Sequence, residues 1–164
     1  MIILPDDEIQ ALLREEKAIP LGLYPLKAMP ELHHHRRKNC DVSAESGHEF
    51  VEAVRQSSLN VMDFPVILGY KLPGVFTVFR QRRYNGSSQH SNTFEKETID
   101  GFHVHTPTER YQQMAGFKED YVAELTNRYS DSNAPIECLL NECSFRSPIE
   151  KSPLTDASIV LAER

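Results

Sequence analysis

The chain has 164 residues, 40% of them apolar and 26% charged, with a formal net charge of −6. That length suits one domain able to bury roughly 70% of its unfolded surface, and the acidic balance excludes nucleic-acid binding through the whole surface. No apolar run reaches the ~20 residues of a membrane helix, and the N-terminus lacks the positive flank and long apolar stretch of a signal peptide, so the expected location is cytoplasmic, with no membrane partner.

In chain order, Asp6-Asp7-Glu8 ahead of Ile9, Leu12 and Leu13 predicts a capped amphipathic helix ending near Ala18-Ile19, stopped by Pro20. Pro20, Gly22, Pro25 and Pro30 make residues 20–30 an extended connector. Residues 31–44 lack a 3.6 period and read as one strand, broken at Gly47. Alternation predicts a strand over 48–56, with Phe50, Glu52 and Val54 on one side and Val51, Ala53 and Arg55 on the other. The β-rich run 64–70, the Leu72-Pro73-Gly74 turn and the alternating run 75–83 predict a hairpin.

Asn85-Gly86-Ser87-Ser88 reads as a turn before a polar loop to Lys96, and 99–106 as the next strand. Thr106 then has the pattern of an N-cap, with Pro107 and Glu109 opening a helix that runs to about Ala115 and stops at Gly116. Residues 121–126 read as a strand, and Asn133-Ala134-Pro135 opens a final helix through Ile136, Leu139, Leu140 and Cys143. The expected architecture is α+β: a single antiparallel sheet of about five strands with flanking N- and C-terminal helices, over residues 1–146. Residues 147–164, with Pro148 and Pro153, read as a loosely held tail.

Cys40, Cys138 and Cys143 are too few and too scattered for a disulfide scaffold, and read as small buried hydrophobes. Charge is uneven. Residues 71–90 hold Lys71, Arg80, Arg82 and Arg83 with no acid, whereas 91–164 hold 13 acids and seven bases. A basic strip on an acidic body is the footprint of an anion or nucleic-acid site, or a solvated sheet face.

Chemistry concentrates at His103-Val104-His105. Residues two apart on a strand share a face, so both imidazoles would face the surface reached by Arg82, Arg83 and Tyr84. Three activities fit these residue types. His-x-His, joined by His33-His34-His35, could ligate a metal, although no His-Glu-x-x-His or Cys-x-x-Cys accompanies it. A histidine-triad hydrolase would need a third histidine where Pro107 stands. Metal-independent RNA cleavage would use His103 and His105 as acid and base, with His90 nearby and Arg80, Arg82, Arg83 and Arg110 on phosphate oxygens. Tyr84 would stack or share a proton. The plainer reading is structural: half-buried histidines bonding a backbone carbonyl or Glu109, and a solvated hairpin end at Arg82-Arg83-Tyr84. No cofactor is expected.

The stretch from about 47 to 145 resembles a group of uncharacterised small prokaryotic proteins. The resemblance is carried by Gly47-His48-Glu49-Phe50, Arg55-Gln56-Ser57, Phe64-Pro65-Val66-Ile67-Leu68, Arg83-Tyr84-Asn85-Gly86, Phe102-His103-Val104-His105, Thr108-Glu109-Arg110-Tyr111 and Arg128-Tyr129. An arginine–tyrosine strand followed by a histidine-rich strand is also similar to TumE-like toxins of toxin–antitoxin pairs. That similarity implies a toxin-like component binding or cleaving RNA or another phosphate ligand, and carries over no catalytic position. The competing expectations are a non-catalytic protein-interaction module or homodimer, pairing through the apolar hairpin Val75–Phe79, and a metal-binding enzyme using the His-x-His pair.

Overall fold

The computed structural model describes residues 2–20 and 30–146. In order they form α1 (Asp6–Arg14), β1 (Lys17–Ala18), β2 (Glu31–Leu32), β3 (His35–Ser43), β4 (Glu49–Ser57), β5 (Pro65–Lys71), β6 (Val78–Asn92), β7 (Glu97–His105), α2 (Glu109–Gln112), β8 (Ala123–Leu125), α3 (Ala134–Glu142) and β9 (Phe145–Arg146). This corrects the expected α+β body with about five strands. The protein is mostly β: seven strands make one antiparallel sheet in the order β2 to β8, β1 and β9 form a separate parallel pair, and the three helices are short. The expected tail and most of the expected connector lie outside the described residues.

The difference has local causes. Residues 31–44 form two strands rather than one, because His33 and His34 take positive φ (49° and 61°) and turn the chain between β2 and β3. Histidine is among the few non-glycine residues enriched in that region. Asn85-Gly86 makes no turn: β6 runs on to Asn92, and the chain reverses at 93–96, where Lys96 takes φ 55°. The first helix ends at Arg14, with Glu15 already extended. Thr108 rather than Thr106 caps α2, its hydroxyl accepting from the Tyr111 N–H, and that helix lasts one turn.

One face of the sheet carries the main core. Ile9, Leu12 and Leu13 of α1 and Ile136 and Leu139 of α3 pack with Phe50, Val54, Val66, Leu68, Tyr84 and Val104. Lys17 is buried here, and its ammonium donates to the carbonyls of Leu12, Leu13, Glu15 and Cys143 at 2.7–3.3 Å, closing the C-terminal ends of α1 and α3 together. A second, aromatic cluster of Phe94, Tyr111, Phe117 and Tyr121 lies where α2 and the loop after it meet the β6–β7 hairpin. No helix among the described residues is long and apolar enough to cross a membrane.

Candidate functional site

The sheet register sorts the expected site residues. Arg83 lies opposite Ile67 on one side and His105 on the other, and Asn85 lies opposite His103. Side chains alternate, so Arg83, Asn85, His103 and His105 share the face away from α1 and α3. Arg82 and Tyr84 take the helix face. The Arg82 guanidinium donates to Thr106 Oγ1 at 3.0 Å. Tyr84 is wholly buried and donates its hydroxyl to Glu142 Oε2 at 2.7 Å, and burial pushes its pKa far up. Arg110 sits apart on α2, over the Phe94 ring and 3.5 Å from Glu95. Of the four expected ligand-binding residues, Arg83 alone meets the histidines.

A third histidine joins them. The register slips by one residue between Asn85 and Ser88, so that His90 falls opposite Ile99 and on the histidine face. Its ring lies 4.7 Å from that of His105 and 5.8 Å from that of His103. Without the slip His90 would point to the other side.

These rings are closed in. His103 is 1% exposed and His105 2%. The segment Glu119–Tyr121 lies over them and is gripped from the sheet. His105 Nδ1 donates to the Asp120 carbonyl at 2.9 Å, and His90 Nε2 to the Tyr121 carbonyl at 2.8 Å. Arg83 Nε donates to the Asp120 carboxylate at 2.7 Å, and Arg80 pairs with Glu119 at 3.3 Å. His103 Nδ1 donates to the Gly101 carbonyl at 2.8 Å.

Carbonyls only accept, so His103 and His105 keep their protons on Nδ1, and both Nε2 atoms point lone pairs at Asn85 Nδ2, 3.3 Å from each. Burial first, then the Arg83 charge and the other two rings, lowers the His105 pKa to about 3. Burial likewise lowers those of His103 and His90. All three imidazoles are neutral at physiological pH. A general acid of this kind would need a pKa near the working pH and a path to substrate, and His105 has neither.

The other histidines lie elsewhere. His33 and His34 are exposed at the β2–β3 turn, on the far side of β4 and β5 from the cluster. Among the described residues, no group of three or more His, Cys, Asp or Glu side chains is set to hold a metal ion.

Beside the histidines the same face opens into a polar cleft of about 300 Å³. Arg55, Asp63, Arg83, Asn85, Ser87 and Ser88 contribute to its walls. Gly86 makes the cleft possible. Its N–H donates to the Phe64 carbonyl at 2.8 Å, and a Cβ there would overlap the Met62 carbonyl, so the β4–β5 loop can lie directly on β6. Arg55 is held at Nη2 by Asp63 (3.4 Å), while its Nε is buried with no partner. Asn85 Oδ1 is buried and unpartnered too.

Chain order gave little sign of this cleft. Arg55 and Arg83 are 28 positions apart, and Asn85-Gly86 carries the signature of a turn. Asp120, which anchors Arg83, stands in a segment without periodicity. Compared with family models, curated proteins and solved structures, the chain matches none.

Proposed function

We propose that this protein binds a phosphate-bearing ligand in the Arg55–Arg83 cleft and does not cleave it. The carrying observation is the meeting of two guanidiniums from different strands in one polar cleft, each oriented by a carboxylate. Arginine forks suit phosphate oxygens. The neutral, covered His103 and His105 lie behind Asn85, outside the lining of the cleft, and hold that side chain rather than act as acid and base. The toxin-like reading on RNA draws on the same phosphate chemistry.

Calorimetric titration with inorganic phosphate and with a short single-stranded RNA at low salt tests this, with EDTA present and the RNA examined afterwards on a gel. We expect phosphate to bind, the RNA to stay intact, and Arg55→Gln to weaken binding. A protein that binds neither, or that cuts the RNA, removes the proposal.

A second reading has its own observation. Phe76 at the β5–β6 hairpin tip is fully exposed, with Val75 and Val78 partly so, beside an apolar cleft of about 610 Å³ lined in part by Ile2, Ile3, Val78 and Met114. Such a patch marks an interaction surface, and supports a homodimer or a protein partner at this hairpin. Light scattering decides for the homodimer: a dimer that Phe76→Ser converts to monomer supports it, and a strict monomer in the wild type argues against it.

A further inference from the structure

The apolar cleft of about 610 Å³ beside the β5–β6 hairpin is walled by stretches that avoid charge. Residues 2–5, 72–79 and 111–117 carry none, in a chain that is 26% charged. All three runs reach the cleft. Glu119, the charged residue in its wall, is already engaged: its carboxylate accepts from the Arg80 backbone N–H at 2.9 Å and from Arg80 Nε at 3.3 Å. Lys118 borders the third run but stands outside the lining. The wall is also moored. Gln112 Oε1 accepts from the Leu4 N–H at 2.8 Å, and Gln112 Nε2 donates to the Leu4 carbonyl at 2.9 Å. The Glu109 N–H donates to Asp6 Oδ1 at 2.7 Å. These bonds hold the chain around Leu4 against α2 and leave Ile2 and Ile3 52% and 38% exposed. Isoleucines fixed in contact with water mark a surface that something covers.

The occupant must be apolar, and this chain carries one of the right kind. Phe76 stands fully exposed at the tip of the same hairpin, next to Thr77 and Val78 of the cleft wall. A knob and a socket side by side on one surface are self-complementary. Under a two-fold axis each copy's knob meets the other's socket, and the assembly closes at two. Charge agrees with a second copy. Each chain carries a net −6, so two copies repel except where the facing surfaces are uncharged. A lipid surface is the poorer match, because such binding draws on basic residues beside the apolar face, and here Lys71 and Arg80 are paired with Asp41 and Glu119. A knob that fills a cleft covers both walls at once, which brings a small patch toward the ~800 Å² per partner of a standard interface. Building on the homodimer reading above, we infer that the dimer is reciprocal: Phe76 of each copy inserts into the apolar cleft of the other, against Ile3 and Met114.

Two measurements on the full chain test the inference. In wild-type protein mixed from isotope-labelled and unlabelled chains, filtered NMR reads contacts between copies alone, and the Phe76 ring should contact the methyl groups of Met114 and Ile3. Sedimentation over a concentration series reads the dimer constant. Phe76→Ser removes both knobs and should weaken dimerisation by roughly a thousandfold, the product of two aromatic hot spots. Met114→Glu, which spoils the socket and leaves the hairpin intact, should break the dimer as well. Circular dichroism confirms that each variant is folded, and should Met114→Glu not fold, the labelled wild-type sample decides alone.

A wild-type dimer that Phe76→Ser breaks but that shows no contact between Phe76 and the cleft, or that folded Met114→Glu leaves intact, overturns the exchange while the hairpin stands as an interface. A strict monomer, or a dimer indifferent to Phe76→Ser, removes the homodimer reading beneath it too.

Discussion

Glu52 faces the helix layer between Cys40 and Leu68, 1% exposed, and neither of its carboxyl oxygens has a hydrogen-bond partner. Burial raises its pKa to about 7, offset in part by Lys38. The folded protein therefore takes up this proton at a higher pH than the unfolded chain, whose carboxyl titrates near 4.5. Its contribution to stability is whole below that value and is lost as pH rises through about 7. Glu52→Gln should accordingly outlast the wild type in urea above pH 7, by about 2–3 kcal/mol, with the gap closing toward pH 4.5. His105 works in the other direction. Folded, it resists protonation down to about 3, while the unfolded imidazole charges at 6.5, so stability present above 6.5 drains away as pH falls toward 3. Urea titrations of His105→Gln should show a shallower acid loss than wild type, the two profiles differing by about 2 kcal/mol near pH 5. The alternation that sets Phe50, Glu52 and Val54 on one side was legible in sequence, and it forecasts a carboxyl on the apolar face. The histidines' neutrality was not legible, because it depends on a covering segment about fifteen residues away in the chain.

At the scale of elements, two contacts hold more structure than their size suggests. Gly86→Ala would drive the Met62 carbonyl off β6 and take the cleft's loop with it. We expect a loss of several kcal/mol in urea unfolding, together with loss of oxyanion binding. Lys17→Met would strand the terminal carbonyls of α1 and α3 in a buried site, lowering stability by about 2–3 kcal/mol. β4 was readable from the sequence because side-chain period and burial agree over Glu49–Arg55, and β5 because its run of β-formers is mostly buried. Two of the signals that misled concern reversals. Two histidines turn the chain where no glycine stands, and an Asn-Gly pair stays extended because its glycine is needed for close approach rather than for positive φ. The one-residue slip after Asn85 left no mark in composition, yet it is what brings His90 to the cluster.

Taken whole, the molecule is a meander in which each strand of the large sheet pairs with its neighbours in sequence. Such pairings close shorter loops than crossover connections would. The exception is the parallel pair, where Lys17–Ala18 meets Phe145–Arg146 across nearly the whole described chain. Hydrogen exchange should show Ile9–Leu13 of α1 and Ile136–Leu139 of α3 opening as one unit, and Phe145→Ser should lower protection in both helices while sparing β5 and β6. Independent exchange of the two helices would count against this coupling.

The bond between Lys17 and the Cys143 carbonyl also makes two helix ends depend on one ammonium. The apolar stripe of α1 rests on strands that pair hairpin by hairpin, whereas its last carbonyls share their donor with the C-terminal end of α3. Whatever loosens the C-terminal end of one helix therefore bares buried polar groups at the other.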